Sequence, residues 1–143
     1  MEIIRTPETQ EEWSAYYALR YKVLRAPLNQ PKGSEINDGD KTAQHFALFY
    51  NGKIAAVARL DQLDQTTNQV RFVAVDFDYH RKGLGKRIME ALEEKSREAQ
   101  KSSIVLHARE NALNFYTCMG YILEEKSHLL YGQIQHYKMS KAL

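Results

Sequence analysis

The chain alternates between stretches with strand-like and helix-like spacing of apolar residues. Residues 46–50 and 54–60 are two apolar runs joined through Asn51-Gly52, the dipeptide favoured in two-residue hairpin turns, and they predict an antiparallel pair of strands. The run from Val70 to Val75 is rich in β-branched side chains and predicts the next strand. The intervening residues 61–68 are polar and typical of a turn. Shorter apolar runs predict the remaining strands at residues 2–5, 104–106, 121–123 and 134–139.

Three stretches have helical periodicity. The first is predicted to start at Thr6-Pro7, as N-terminal cap and first helical residue, and to continue to about Arg25. The second is predicted over about residues 83–100, because its apolar side chains fall on one face. The third is predicted over about residues 110–119, with Gly120 as a left-handed C-terminal cap.

This order of elements predicts an α+β protein in which helices cover the faces of a sheet. The chain has 143 residues, of which 43% are hydrophobic and 27% charged, so we expect one soluble globular domain over residues 1–143. No repeat, low-complexity tract or linker divides it. The longest stretch without a predicted element runs from Pro27 to Lys41, and loops of this length are often lids or binding loops.

Composition weighs against several classes of function. The formal net charge is only +2, which offers no global attraction for nucleic acid. Cys118 is the only cysteine, so no disulfide can form within the chain and a reducing compartment is expected. The N-terminal residues lack an apolar signal core and no run is long enough to span a membrane, so we expect a cytoplasmic protein that does not bind membranes. No spacing of His, Cys and Asp indicates a metal site.

The densest cluster of cations lies between the strand at residues 70–75 and the helix that follows it. A strand, a glycine-containing loop and a helix N-terminus together present free backbone amides and the positive end of the helix dipole to an anion. Gly83 and Gly85 allow close approach, and four cations surround them: Arg81, Lys82, Lys86 and Arg87. The spacing matches neither a P-loop nor a full dinucleotide-binding fingerprint. From these residues alone, anion binding and a tight turn with solvated charges are equally open.

Two motifs resemble those of the GNAT superfamily of acyl-CoA-dependent N-acetyltransferases. Val73-Ala74-Val75 followed by Tyr79-His80-Arg81-Lys82-Gly83-Leu84-Gly85 is similar to the family's coenzyme-binding motif. Ala112-x-x-Phe115-Tyr116-x-x-x-Gly120-Tyr121 is similar to its second coenzyme-contacting helix. Leu106-His107-Ala108 and Ile134-x-His136 resemble the small bacterial ElaA-like branch. The resemblance covers essentially the whole chain, and it implies a mixed, mostly antiparallel sheet of six to seven strands with helices on both faces.

The resemblance also implies how coenzyme A, as acetyl-CoA, would bind. Backbone amides would hold its diphosphate, namely those of Arg81, Lys82, Gly83, Leu84, Gly85 and Lys86. The strand Val73, Ala74 and Val75 would pair with the pantetheine arm, and an amide near Val75 would polarise the thioester carbonyl. Asn114 and Tyr116 would contact the coenzyme from the second helix. Arg109 lies where the family often has an asparagine that contacts pantetheine, and His80 lies where Gln or Arg is usual.

The implied reaction is direct attack of a primary amine, from a small molecule or a peptide, on the acetyl thioester. Tyr116 matches the family's usual general acid. An unperturbed phenol is a weaker acid than a thiol by roughly 2 kcal/mol, so a hydrogen bond to the departing thiolate is as reasonable as full proton transfer. Candidate acceptor-binding residues or bases are Arg20, Glu35, His45, His107 and His136, each of which has a structural role as its alternative.

Two other functions remain open at the level of the sequence. A non-catalytic acyl-CoA-binding or sensing module would bind the same coenzyme without turnover, and the presence of Tyr116 favours the enzyme. A nucleic-acid-binding domain would use the cations of residues 81–87, which the near-neutral net charge disfavours. The sequence does not identify the acceptor, and a homodimer is left open.

Overall fold

The computed structural model describes all residues from Met1 to Leu143. Seven strands form one sheet: β1 (Glu2–Arg5), β2 (Gln44–Tyr50), β3 (Lys53–Gln62), β4 (Thr67–Val75), β5 (Ser103–Arg109), β6 (Ile122–Leu130) and β7 (Ile134–Ala142). Three α-helices accompany it: α1 (Gln10–Leu24), α2 (Leu84–Glu98) and α3 (Leu113–Cys118). No helix is long and apolar enough to cross a membrane.

The strands are arranged in the order β1-β2-β3-β4-β5-β7-β6. Every neighbouring pair is antiparallel except β4 and β5, which are parallel because α2 connects them as a crossover. This confirms the expected α+β class and the mixed, mostly antiparallel sheet, with seven strands. Asn51-Gly52 forms the predicted hairpin turn between β2 and β3, and Asn51 has a φ of 51°.

Helices cover both faces of the sheet, as expected. On one face, α2 packs its Leu84, Ile88, Met89 and Leu92 side chains against inner strand residues such as Leu48 and Leu106. On the other face, α1 packs Tyr16, Leu19 and Leu24 against Ala47, Phe49, Val57 and Ala74. Below, these are called the α2 face and the α1 face.

Several predicted boundaries were wrong. The cap of α1 is Thr9, whose side chain accepts a hydrogen bond from the Glu12 amide, whereas the Thr6 hydroxyl donates to the His45 carbonyl across the sheet edge. β3 and β4 extend into the stretch that was predicted to be a turn, which shrinks to residues 63–66. β6 and β7 are both longer than predicted. β6 is an exposed edge strand, and because it lacks a continuous apolar run, its length cannot be recognised from hydrophobic spacing.

One irregularity in β4 shapes the rest of the molecule. The register between β3 and β4 shifts between Val57 and Arg59, and Phe72 on β4 has a φ of 56°, a left-handed conformation that is rare for a bulky residue. Val70 therefore faces α2 whereas Ala74 faces α1, although side chains four residues apart in a regular strand share a face.

Beside this bulge, β4 separates from β5, its neighbour on the other side. The parallel ladder joins Thr67–Val70 to Ser103–Leu106 and goes no further. β5 continues to pair with β7 as far as Arg109 and His136, so the edge of β4 from Arg71 to Val75 has no partner strand on the β5 side. The two strands thus open a gap through the sheet.

Candidate active site

The gap between β4 and β5 opens into a cavity of about 400 Å³. Its walls come from β4 and β5, from the C-terminal end of α1, from α3 and its preceding turn, and from the β6–β7 hairpin. Ala108 and Tyr116 belong to the core on the α2 face, whereas Phe72 packs with the α1 face. The cavity is therefore lined by residues from both sides of the sheet.

The basic loop continues directly from the free edge of β4. Gly83 has a φ of 76° and precedes the first turn of α2, where the leading backbone amides have no intrahelical acceptor. Arg81 also adopts a left-handed conformation, with a φ of 67°. Gly85 lies so close to α3 that a Cβ there would stand 3.2 Å from the Phe115 ring and 3.5 Å from Val75. The loop, the end of β4 and α3 therefore meet at one place.

Four cations of this loop differ in their contacts. Arg87 is engaged inside the protein, since it pairs with Glu2 and donates to the Lys82 carbonyl at 2.8 Å. Arg81, Lys82 and Lys86 are exposed and form no ion pair with a carboxylate. Leu84 anchors the start of α2 in the core, which fixes the loop amides in position. This arrangement can bind a polyanion such as a diphosphate.

Tyr116 lies on α3, belongs to the core on the α2 face and also lines the cavity. The ring packs edge-to-face against Phe115 at 4.9 Å and Tyr121 at 5.7 Å. Burial raises the pKa of the Tyr116 hydroxyl, and no group of the protein hydrogen-bonds to it. A neutral phenol with a free O–H can donate to a charge that develops in the cavity. Asn114, in the first turn of α3, is exposed.

Three histidines, His107, His128 and His136, line the cavity and form a contiguous row. The His107 and His128 rings are 5.6 Å apart, and those of His128 and His136 are stacked at 4.4 Å. Burial lowers the pKa of His136 to about 4 and also lowers that of His107. The Nδ1 atom of His107 is buried without a hydrogen-bond partner. Both rings are neutral at neutral pH and can accept a proton.

The other three acceptor candidates do not line this cavity. Arg20 is fully buried on the sheet side of α1, where its guanidinium contacts Asp40 at 2.8 Å and the Glu35 carbonyl at 3.0 Å. His45 uses both ring nitrogens, on the Tyr16 hydroxyl at 2.9 Å and the Asp40 carbonyl at 2.8 Å. The Glu35 carboxylate accepts from the Gly33 amide. These contacts tie Arg20, Glu35 and His45 into the fold away from the cavity, so the structure favours the structural alternative for each of them.

Sequence reasoning did not find Arg71 and Phe72 as cavity residues, left the contact of Arg109 unassigned, and offered Arg25 only as an arginine that could bind an acidic part of the acceptor or lie on a solvated helix face. Arg71 and Phe72 occupy the bulge, which no sequence pattern reveals, because residues 70–75 have the composition of a regular strand. Arg25 and Arg109 both donate to the Leu24 carbonyl, at 3.1 Å and 2.8 Å. No group of three or more His, Cys, Asp and Glu side chains is arranged to hold a metal ion.

Comparison with known proteins identifies the family. Residues 11–143 match the acetyltransferase (GNAT) domain family. The chain belongs to the GNAT acetyltransferase family. It is 27% identical over 135 residues to the uncharacterized N-acetyltransferase YjcF of Bacillus subtilis (strain 168), covering 94% of this chain and 95% of that protein. This membership makes the protein an acetyl-CoA-dependent acyltransferase.

Solved structures share the fold of this GNAT protein. Escherichia coli ElaA superposes with a TM-score of 0.82 at 20% identity, over 99% of this chain and 98% of that one. A GNAT family acetyltransferase from Elizabethkingia anophelis, crystallised with acetyl-CoA bound, gives a TM-score of 0.77 at 13% identity, over 100% of this chain and 97% of that one. These proteins thus share the fold of this chain.

Proposed function

We propose that the protein transfers the acetyl group of acetyl-CoA to a primary amine of a small molecule or peptide by direct attack of the amine. The observation that carries the proposal is the gap between β4 and β5, with the α2 N-terminus at one end and the Tyr116 hydroxyl on its wall. Acetyl-CoA bound to a GNAT family neighbour of the same fold supports the choice of donor.

The residues present fit the donor molecule. Arg81, Lys82 and Lys86 have no carboxylate partner, and with the amides of Gly83, Leu84 and Gly85 they offer donors and charge to its diphosphate. The edge formed by Val73, Ala74 and Val75 has no strand beside it on the β5 side, so it can pair with an extended pantetheine arm. The Val75 carbonyl on this edge lies 3.2 Å from His80 Nε2, a contact that the arm would have to replace or leave in place. Asn114 is accessible beside that arm on α3.

Tyr116 stabilises the departing thiolate in this proposal. Because burial raises the pKa of its hydroxyl, the phenol keeps its proton and donates a hydrogen bond to the sulfur, with full transfer less favourable than for an unperturbed tyrosine. His107 accepts the proton that the attacking amine loses, because it is neutral and its Nδ1 has no other partner, whereas a pKa of about 4 makes His136 the weaker base.

The test is Tyr116→Phe, with Tyr121→Phe as matched control. Loss of one donor to a developing charge lowers turnover by about 100-fold or more, while the calorimetric affinity for acetyl-CoA stays nearly unchanged. Tyr121 lies in the same aromatic cluster, but its hydroxyl donates to Glu93 at 2.9 Å outside the cavity, so its removal leaves turnover near the wild-type value. Wild-type turnover in Tyr116→Phe would remove this residue from the mechanism.

A further inference from the structure

The part of the cavity on the α1 face carries an excess of positive charge. Three arginines, Arg25, Arg71 and Arg109, line the cavity together with the three histidines described above. No Asp or Glu lines it. Arg25 is buried and Arg109 half-buried, whereas Arg71 is exposed. Buried cations in proteins are normally paired, so the absence of a carboxylate beside Arg25 and Arg109, with the accessible Arg71 on the same cavity, favours an anion that comes from outside.

Of the three arginines, Arg71 has the fewest contacts that compensate its positive charge. It lies directly opposite Arg59 across the β3–β4 ladder, and like charges in that arrangement repel. Arg59 is neutralised by Asp61 at 2.6 Å and by Asp40 at 3.3 Å, whereas Arg71 has neither an ion pair nor a hydrogen bond and only packs near the Phe72 ring, at 5.1 Å. Burial and the neighbouring Arg59 lower the pKa of the Arg71 guanidinium, so an added anion would relieve this repulsion.

Arg25 and Arg109 are held in place but also lack charged partners. Both donate to the Leu24 carbonyl at the end of α1, and the Arg25 Nε donates to the Ser34 carbonyl at 3.1 Å. Only neutral carbonyls accept from them, and each guanidinium has five N–H donors, so several remain free. Arg25 also lies 5.5 Å from the Phe72 ring, the same ring that Arg71 approaches.

The diphosphate of the coenzyme is not the anion that we expect these arginines to bind. This diphosphate has its own cations in the loop of residues 81–87, which leads into α2 on the opposite face of the sheet. Arg71 precedes the end of β4 at Val75 by four residues, a distance of about 13 Å along the strand before that loop begins. The arginines instead border the row of histidines, where the amine would lose its proton.

We infer that the acceptor is a small primary amine that also bears an anionic group, a carboxylate or a phosphate, and that Arg71 binds this group together with Arg25 and Arg109. The inference rests on the proposed function, which it narrows to one class of acceptor. The anion fixes the acceptor on the α1 face and directs its amine through the gap toward the thioester.

The first experiment compares matched amines with acetyl-CoA as donor. Glycine, β-alanine, γ-aminobutyrate and O-phosphoethanolamine are each assayed against the amine that lacks the anionic group. We expect kcat/KM to be at least about tenfold higher for the anionic member of a pair, and Arg71→Gln to abolish this preference, since a charge-assisted hydrogen bond accounts for about tenfold to 100-fold. The carboxylate and phosphate series show which anion is preferred.

Two control variants accompany Arg71→Gln. Arg71→Lys keeps the charge and should retain part of the preference. Arg97→Gln removes an exposed arginine of α2 that pairs only with Glu94, at 3.7 Å, and should retain all of it. If the wild type has equal kcat/KM for anionic and neutral amines, the inference is overturned and the acetyltransferase proposal stays intact. The same holds if Arg71→Gln lowers kcat/KM equally for both kinds of amine.

If no amine is turned over, the proposed function is wrong. A binding experiment then tests separately whether the cavity contains an anion site. Inorganic phosphate and acetate are titrated into the protein while backbone amide resonances are followed by NMR. Shifts at Phe72 and His107 that persist in Arg97→Gln and vanish in Arg71→Gln support an anion site in the cavity. Shifts confined to Gly83 and Gly85, or none, overturn it.

Discussion

Replacement of Arg20 by methionine tests whether this residue supports the fold or contacts the acceptor. Arg20 is fully buried, and its guanidinium contacts the Asp40 carboxylate, the Glu35 carbonyl and the Tyr16 hydroxyl. It also stacks on the Phe72 ring at 4.4 Å. Methionine fills most of the space of the alkyl chain but leaves the acceptors around it without their donor.

The expected loss in the free energy of unfolding depends on the contacts that Asp40 keeps in Arg20→Met. Burial alone would raise the pKa of this carboxyl, but the Asn37 amide and Arg20 outweigh burial and lower it. Breaking a buried ion pair from one side costs about 3–5 kcal/mol. Because Arg59 still stands 3.3 Å from Asp40, we expect the lower end, about 3 kcal/mol, and a fall in Tm of about 10 °C for a chain of this length.

The assay is urea unfolding followed by far-UV circular dichroism at neutral pH, with the free energy of unfolding taken by linear extrapolation. Lys22→Met is the matched control, since Lys22 lies on the same helix and pairs with Asp76 at 3.0 Å but is 48% exposed. Its loss should change the free energy by about 0.5 kcal/mol or less. The reasoning fails if Arg20→Met unfolds like the wild type, or if its main defect is a raised KM for the acceptor.

Two further predictions concern the basic loop and the histidine row. Gly85→Val should weaken acetyl-CoA binding at least about tenfold by calorimetry, because the branched side chain meets the Phe115 ring where a bare Cβ already stands at 3.2 Å; unchanged affinity would contradict the placement of the diphosphate. Burial holds the pKa of His136 at about 4, against 6.5 for an ordinary histidine, so the unfolded chain binds this proton more tightly. The free energy of unfolding should therefore fall by about 3 kcal/mol as pH drops from about 6.5 to about 4, and His136→Gln should flatten that slope.

Elements with strong local signals could be predicted from the sequence. The Asn51-Gly52 turn fixes the β2–β3 hairpin because both residues accept a positive φ, which is 51° and 86° here. The start of α2 at Gly83 and the left-handed Gly120 after α3 follow from the same conformational freedom of glycine. Each of these features depends on a few adjacent residues, so one sequence is enough to find them.

The spacing of residues along α1 indicates the burial of Arg20. Tyr16, Arg20 and Leu24 are spaced by four residues, which places them on one face of a helix, and that face packs on the sheet. An arginine at the centre of an apolar face is more often a buried structural residue than a ligand contact. Its spacing therefore favours the network with Asp40 over an acceptor site.

The excess charge of the cavity could not be predicted from the sequence. Arg59 and Arg71 become neighbours only through the β3–β4 register, and His107 meets His128 and His136 only because β7 lies between β5 and β6. Such long-range pairing depends on the whole sheet, and no local spacing encodes it. The bulge at Phe72 adds a shift that strand periodicity cannot anticipate.

The bulge in β4 contributes to both proposed binding sites, that of the donor and that of the acceptor. One extra residue in β4 turns both Arg71 and Phe72 toward α1, and it lies where β4 parts from β5, so the same irregularity forms the groove for the donor and the charged wall for the acceptor. Donor and acceptor would then enter from opposite faces and be bound together. No Cys, Ser or Lys lines the cavity, and Cys118 lies outside it, so none of these nucleophiles is available to carry the acetyl group between them. A gap lined from both faces, with no such nucleophile on its walls, supports the proposed direct transfer over a covalent relay.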